Sequence, residues 1–352
     1  MAGAEFGGAE AFFIRLVLAL NRAGLDQRVV IRNHPARAQA LKAGGIEPVE
    51  LAFGGMLDFR TKTALKREIQ AYRPDVVLTW MNRATAQCPR GDFVHVGRLG
   101  GYYDLKYYRG CDHLIGNTED IRNYLIGDGW PSGRSHYLPN FVPGHKAEPV
   151  PRREFFTPEG APLVLALGRL HENKAFDVLL EAMARIPDAY LWIAGEGPLR
   201  GDLEKAAEAI GVKPRTRFLG WREDTAALLA TADIFVCPSR HEPLGNVVLE
   251  AWAQGAPVIA ADSYGPGTLI ENRETGILVP VDDAPTMGKA LRNLFEDDKL
   301  RQRIAHQGHQ AYKKNFTEKI VIDQYLAFFE SLLKTDETPD ANSDTNIPGE
   351  PP

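Results

Sequence analysis

Apolar and polar positions follow two regimes along this chain. From residue 161 onward, unbroken apolar runs at Leu163–Leu167, Tyr190–Ala194, Ile234–Cys237, Val258–Ala261 and Ile277–Val279 alternate with longer stretches of helical period. Phe176, Leu179, Leu180 and Met183 recur at the spacing of one helix face. Strands separated by helices of this length need right-handed crossovers, so the pattern predicts a parallel, doubly wound sheet. The front half repeats the theme more loosely. Phe12, Phe13, Leu16, Val17 and Leu20 form a helical stripe closed by Gly24, and Val29–Ile31, Val76–Trp80, Phe93–Val96 and His113–Ile115 read as strands.

The same pattern divides the chain. Residues 1–146 form a front α/β domain and 163–317 a rear one, joined by a proline-rich linker at 147–162 that carries an Arg-Arg pair. Val321, Tyr325, Phe328, Phe329 and Leu332 mark a last helix over 318–334, expected to pack back toward the front domain. The final stretch, 335–352, is acidic and rich in Pro, Asn, Asp and Thr, a composition that predicts disorder. Two doubly wound domains that face one another leave a central cleft where strand C-termini converge, the usual ligand position for such sheets.

Composition adds limits rather than identity. Hydrophobic residues are 44% and charged residues 25% of the 352, the balance of a globular protein. No apolar run reaches the ~18–20 residues of a membrane-spanning helix, and no secretory signal is visible. Cys88, Cys111 and Cys237 are far apart with no metal-type spacing, which suits a reduced cytoplasmic compartment. The net charge of −5 is uneven: residues 1–150 hold 19 basic against 15 acidic side chains, while the remainder hold 22 against 31. That asymmetry suggests partners of different character for the two halves.

Several segments could carry chemistry. Gly7-Gly8-Ala9-Glu10 precedes the first helix, where glycine allows close approach and free N–H groups favour anions. Gly168-Arg169-Leu170 ends the first rear strand and Lys174 opens the next helix; a glycine turn with two cations suits a diphosphate. Gly195-Glu196-Gly197 looks like a dinucleotide fingerprint, but its next glycine is Gly201 and no acid ends the following strand at Arg217-Phe218-Leu219. The richest segment runs from Pro238 to Ala251. A strand ends at Cys237, Glu242 lies in the loop, and a helix begins near Gly245 with its N–H groups aimed at a phosphate. Glu250, further along that helix, is flanked by Val247, Val248, Leu249, Ala251 and Trp252, so it is half buried and needs a partner.

In order and spacing these segments resemble the glycosyltransferases group 1 family, retaining nucleotide-sugar enzymes of GT-B fold. The resemblance rests on Gly7–Glu10, Leu167–Leu170 with Lys174, Gly195–Pro198, Asp233–Ser239, the Glu242-to-Glu250 pair (E-x7-E), Gly255–Ile259 and Gly276–Pro280. It covers nearly all of 161–330 and the front domain only loosely. It implies two Rossmann-like domains facing a central cleft. It further implies transfer of a sugar from a nucleoside-diphosphate sugar to a cell-surface glycan or lipid-linked acceptor, with retention of configuration. By resemblance, Arg169 and Lys174 neutralise the donor diphosphate, Glu242 binds the transferred sugar and Glu250 the ribose. Leu244, Gly245, Asn246 and Val247 hold the distal phosphate, with Gly8, Gly168 and Gly195 completing the donor site.

Three departures stand out. The family's chains begin with a β-strand running into the glycine turn, yet Met1 lies just ahead of Gly7, so the front domain is expected to lack its first strand. Ala175 stands where the family often has glycine, a change that suits a helix start. Gly265-Pro266-Gly267 is followed by Thr268 rather than glutamate.

The acceptor falls to the front domain. Arg98–Arg109 interleaves four tyrosines with three cations, and Arg60, Lys62, Lys66, Arg67 and Arg73 decorate a helix. Such mixtures suit sugars or anionic lipid headgroups, and would equally stack on nucleic acid. His95, Arg98 and Tyr102 are the expected acceptor residues, the first two at a strand end facing the cleft and Tyr102 in the tyrosine-rich segment that follows. The sequence reading therefore expects a sugar donor, a glycan or lipid-linked acceptor and a peripheral contact with the inner membrane face, without nucleic acid, metal or cofactor. A nucleotide-sugar epimerase of similar fold, or a silent nucleotide-sugar-binding protein, is the alternative.

Overall fold

The computed structural model describes residues 1–4, 7–54 and 58–334; the tail expected to be disordered lies outside them. The front domain contains α1 (Gly8–Arg22), β1 (Val30–Arg32), α2 (Pro35–Ala43), β2 (Val49–Leu51), α3 (Phe59–Tyr72), β3 (Val76–Trp80), α4 (Met81–Gln87), β4 (Val94–Leu99), β5 (His113–Gly116), α5 (Glu119–Gly127) and β6 (Ser135–Tyr137). Its strands form two separate parallel sheets, β1-β2 and β3-β4-β5-β6.

The rear domain follows with β7 (Leu163–Leu167), α6 (Phe176–Met183), β8 (Tyr190–Ala194), α7 (Arg200–Ala209), β9 (Thr216–Gly220), α8 (Thr225–Thr231) and β10 (Ile234–Cys237). It continues with α9 (Asn246–Gln254), β11 (Val258–Ala261), α10 (Tyr264–Leu269), β12 (Ile277–Val279), α11 (Ala284–Glu296) and α12 (Asp298–Asn315). One sheet in the order β12-β11-β10-β7-β8-β9 holds all six strands in parallel. Strands β7, β10 and β11 are buried along their whole length between helical layers, which is why they read as unbroken apolar runs.

The last helix, α13 (Glu318–Lys334), seats Val321, Ile322, Tyr325, Phe328 and Leu332 in the front-domain core beside Phe12, Phe13 and Trp80. Two histidines meet its Phe328. His113 Nδ1 lies 2.9 Å from His136 Nε2, and the His136 ring sits 4.6 Å from that of Phe328. Burial first, then the neighbouring His113 and Arg122, bring His136 down to about 4; burial and Arg134 also lower His113, against the pull of Asp112.

The sign of the consequence is definite. An imidazole with a depressed folded value takes its proton more readily in the unfolded chain, so its stabilisation is full above pH ~6.5 and is lost as pH falls from there towards 4. Partial exposure limits the loss to about 2 kcal/mol. Melting curves recorded between pH 7.5 and 4.5 should show it, and His136→Leu should flatten the slope by that amount. An unchanged slope would exclude this pair as its source.

Candidate active site

The strand order of the rear sheet reverses between β7 and β10, which are neighbours. Loops leaving such a pair diverge to opposite faces and open a crevice at the strand C-termini. Gly168 follows β7 with φ 149°, and Gly195 follows β8 with φ 147°, both in the region that favours glycine. A β-carbon on Gly195 would stand 1.9 Å from the Gly168 carbonyl oxygen, so the loops after β7 and β8 touch through their backbones. Gly197 is equally tight against Leu170. The Gly195–Gly201 segment thus shapes the loop after β7, the reason it resembles a dinucleotide turn without being one.

After Gly168 the chain carries an exposed Arg169 and a short 3-10 turn ending at Lys174. Ala175 is fully buried with φ 51°. The expectation that alanine suits a helix start is therefore corrected. The residue is in the left-handed region, where a β-carbon costs roughly 1 kcal/mol, and glycine is the unstrained choice.

Across the crevice, the loop after β10 delivers Glu242. Lys174 Nζ donates to Glu242 Oε2, and the two side chains are only 21% and 13% exposed. Burial works against the Lys174 charge, but Glu242 outweighs it and holds the ammonium above its ordinary value. Glu242 Oε1 also accepts from the Gly245 amide at 3.3 Å. Gly245 caps α9 with φ 78°, leaving the first N–H groups of the helix without intrahelical partners and pointed at the crevice.

The front domain closes on this point. A β-carbon on Gly8 would lie 3.3 Å from Asn246 Nδ2, so the start of α1 faces the start of α9. Asn246 Oδ1 accepts from Asn140 Nδ2 at 3.1 Å, and Asn140 Oδ1 accepts from Arg98 Nη2 at 2.6 Å. Burial pushes the Glu250 carboxyl up, countered by Arg15 of α1, whose own value burial lowers. The charge that opposes this rise thus comes from the other domain.

The structure thus brings together Gly8, Gly168, Gly195, Lys174, Glu242, Gly245 and Asn246, with Leu244, Val247 and Glu250 on the same loop and helix as Gly245 and an exposed Arg169 next to Gly168. His95 and Arg98 are elsewhere. Strand β4 runs to Leu99, so His95 is near its start, away from the cleft edge, and is buried with Nε2 2.9 Å from Thr79 Oγ1 and Nδ1 3.1 Å from the Gly110 carbonyl. Arg98 is 1% exposed, lies 4.5 Å over Trp80 and 4.8 Å over Phe12, and donates to Tyr325 and Asn140. Its position suits holding the domains and α13 in register rather than touching an acceptor. Tyr102 does face the cleft: its hydroxyl donates to Asp120, and its ring lies 5.0 Å from Tyr264 of the rear domain.

Sequence reasoning missed Arg15, Asn140 and Tyr264. Arg15 had one available signal, a charge inside the apolar stripe of α1. The other two had none. Among the described residues no cluster of His, Cys, Asp or Glu is arranged to hold a metal, and no helix is long and apolar enough to cross a membrane.

This pairing of doubly wound domains, with a cation–carboxylate pair and an open helix N-terminus in the cleft between them, defines a GT-B glycosyltransferase. The Glycosyltransferase Family 4 pattern matches residues 6–144, and Glycosyl transferases group 1 matches residues 149–311. The chain belongs to the glycosyl transferases group 1 family. It is 38% identical over 331 residues to the lipopolysaccharide core biosynthesis glycosyltransferase LpsE of Rhizobium meliloti (strain 1021), covering 92% of this chain and 96% of that one. LpsD of the same strain, with the same description, is 33% identical, over 92% and 95% of the two chains. Among solved structures, Anabaena Alr3699/HepE in complex with UDP superposes with a TM-score of 0.82 at 19% identity, over 94% and 98% of the two chains.

Proposed function

We propose that this glycosyltransferase moves a sugar from a nucleoside-diphosphate sugar to a glycan acceptor of lipopolysaccharide core assembly, with retention of configuration. The observation that carries the reading is the Lys174–Glu242 pair between the end of β7 and the start of α9. A diphosphate at that point meets Arg169, Lys174 and the free amides of α9, while Glu242, released from Lys174, accepts hydrogen bonds from the sugar. Glu250 accepts from the ribose; burial pushes its carboxyl up, and Arg15 offsets part of that rise. The bond from the anomeric carbon to the diphosphate oxygen breaks as the acceptor oxygen bonds to the same face. The acceptor proton passes to the departing diphosphate. Negative charge grows on that leaving group, where the cations and the helix start already stand. The donor and acceptor classes are supported by UDP in the Anabaena complex and by the lipopolysaccharide role named for the Rhizobium relatives.

A thermal-shift panel of UDP, GDP, ADP and CMP tests the donor site. The matching nucleotide at a hundred times its dissociation constant should stabilise the protein by ~2.7 kcal/mol, and Glu250→Gln should reduce that shift. No shift from any nucleotide with folded protein would reject the reading.

The acceptor side also presents a charged face. Lys62, Lys66 and Arg67 are exposed on α3, whose first residue, Phe59, is 70% exposed. An exposed aromatic beside cations suits the surface of an anionic membrane. Replacing the three cations with serine should weaken sedimentation with phosphatidylglycerol vesicles several-fold; equal sedimentation would exclude this face.

A further inference from the structure

A chain of aromatic rings runs between the two domains beside Glu242. Tyr264 opens α10, and the start of that helix is fixed to the loop that carries Glu242. The Gly265 amide donates to the Glu242 carbonyl at 2.7 Å, and a β-carbon on Gly265 would stand 2.5 Å from the Leu244 carbonyl carbon. The backbone of Tyr264 therefore holds a set position relative to the carboxylate assigned to the transferred sugar. His241 lies 5.5 Å from the Tyr264 ring, Tyr264 lies 5.0 Å from Tyr102 of the front domain, and Tyr102 lies 5.3 Å from Tyr124 of α5.

These contacts are tilted or edge-on rather than stacked. The Tyr264 ring meets Tyr102 at 52° and His241 at 77°, and Tyr264 stays 54% exposed, which leaves ring surface for a ligand. Two polar atoms nearby lack partners. Asn117 follows β5 at its C-terminal edge and is buried, yet its Oδ1 has no hydrogen-bond partner among the described residues; the same holds for Oγ of buried Ser263, next to Tyr264. A β-carbon on Gly100 would lie 3.5 Å from Asn117 Nδ2, so this side chain leans toward the loop that carries Tyr102. Buried polar atoms are ordinarily paired, and hydroxyls of a ligand would supply the missing partners.

Building on the transferase reading, we propose that Tyr264 and Tyr102 form the platform on which the terminal sugar ring of the acceptor lies, that Asn117 receives one of its hydroxyls, and that this ring is neutral. A pyranose presents a face of C–H bonds that packs on the electron-rich face of a phenol, while its hydroxyls need polar partners at the rim. Asp120 sets the charge preference. It accepts from the Tyr102 hydroxyl and so puts a carboxylate beside the platform, where it repels an acidic sugar. Tyr264 belongs to the donor domain, so the acceptor is gripped from both sides of the cleft when the domains stand together as they do here.

Saturation-transfer difference NMR tests this with methyl α-D-glucopyranoside, methyl α-D-mannopyranoside and the acidic methyl α-D-glucuronide as probes. Irradiating the aromatic protons of the wild-type protein should carry saturation to the ring protons of the two neutral glycosides, and several-fold less to the glucuronide. Tyr264→Ala should lose most of that transfer while keeping its melting temperature and its nucleotide-induced thermal shift. Tyr264→Phe, which keeps the ring, should retain the transfer. The nucleotide shift is read apart from the sugar signal, so failure of the donor site and failure of the platform are distinguishable. Absence of transfer to either neutral glycoside, transfer unchanged in Tyr264→Ala, or preference for the glucuronide would overturn the proposal. So would loss of the nucleotide shift in Tyr264→Ala, which would place the ring on the donor side.

Discussion

Lys174→Ala should lower kcat by about 10²- to 10³-fold, equivalent to roughly 3–4 kcal/mol of barrier, when measured at saturating donor and acceptor. The expectation follows from where the ammonium stands. It is held charged within hydrogen-bonding distance of Glu242, beside the helix start proposed to receive the diphosphate. Its interaction strengthens as charge moves onto the leaving group, so the loss belongs to kcat more than to donor affinity. The variant also leaves Glu242, only 13% exposed, with the Gly245 amide as the remaining hydrogen-bond partner of its carboxylate among the described residues, so some thermal stability goes as well. Lys174→Arg separates the two effects: it keeps a cation and should recover much of the stability but only part of kcat, because the planar guanidinium fits a different geometry. A kcat within threefold of wild type in Lys174→Ala would place the leaving-group stabilisation elsewhere.

Arg98→Ala should cost about 3–5 kcal/mol of stability, enough to lower the melting temperature by about 10 °C in a protein of this size. Its guanidinium is buried between the Phe12 and Trp80 rings and donates to the Tyr325 hydroxyl and Asn140. Truncation removes a stacked cation and leaves those polar groups short of a partner in the core. A second effect is expected at the donor site. Asn140 orients Asn246 at the start of α9, so nucleotide affinity should fall in Arg98→Ala even where the protein remains folded. Arg98→Lys should keep the charge but not the two-way donation and should recover little. Unchanged melting with altered acceptor KM would instead return Arg98 to the acceptor-binding role that its sequence context suggested.

The rear domain was legible because its chemistry is local. Its parallel strands are buried on both sides, so each appears as an apolar run, and the runs expected at Leu163–Leu167, Ile234–Cys237 and Val258–Ala261 coincide with β7, β10 and β11. Glu242, Gly245 and Glu250 lie on one loop and the helix that follows it, where spacing along the chain is nearly spacing in space. The front domain lacks that locality. Three of its strands, β1, β2 and β6, are only three residues long, its strands fall in two separate sheets, and the end of β4 lies beyond the apolar run that suggested it.

What the sequence by itself determined, then, is the alternation of strands and helices and the local form of the segments at Gly168–Lys174 and Glu242–Glu250, a glycine turn and a loop leading into a helix start. Both depend on periodicity, turns and helix starts, which neighbouring residues set. Only the tertiary structure decided that Lys174 pairs with Glu242, that the Arg15 charge opposes the effect of burial on Glu250 from the opposite domain, that Arg98 turns inward to Tyr325 and Asn140, and that His95 is buried near the start of β4 against Thr79 and Gly110. Those outcomes depend on strand order and on how the two domains dock. Such contacts join residues far apart in the chain, where the desolvation of one charge selects its partner by position in space.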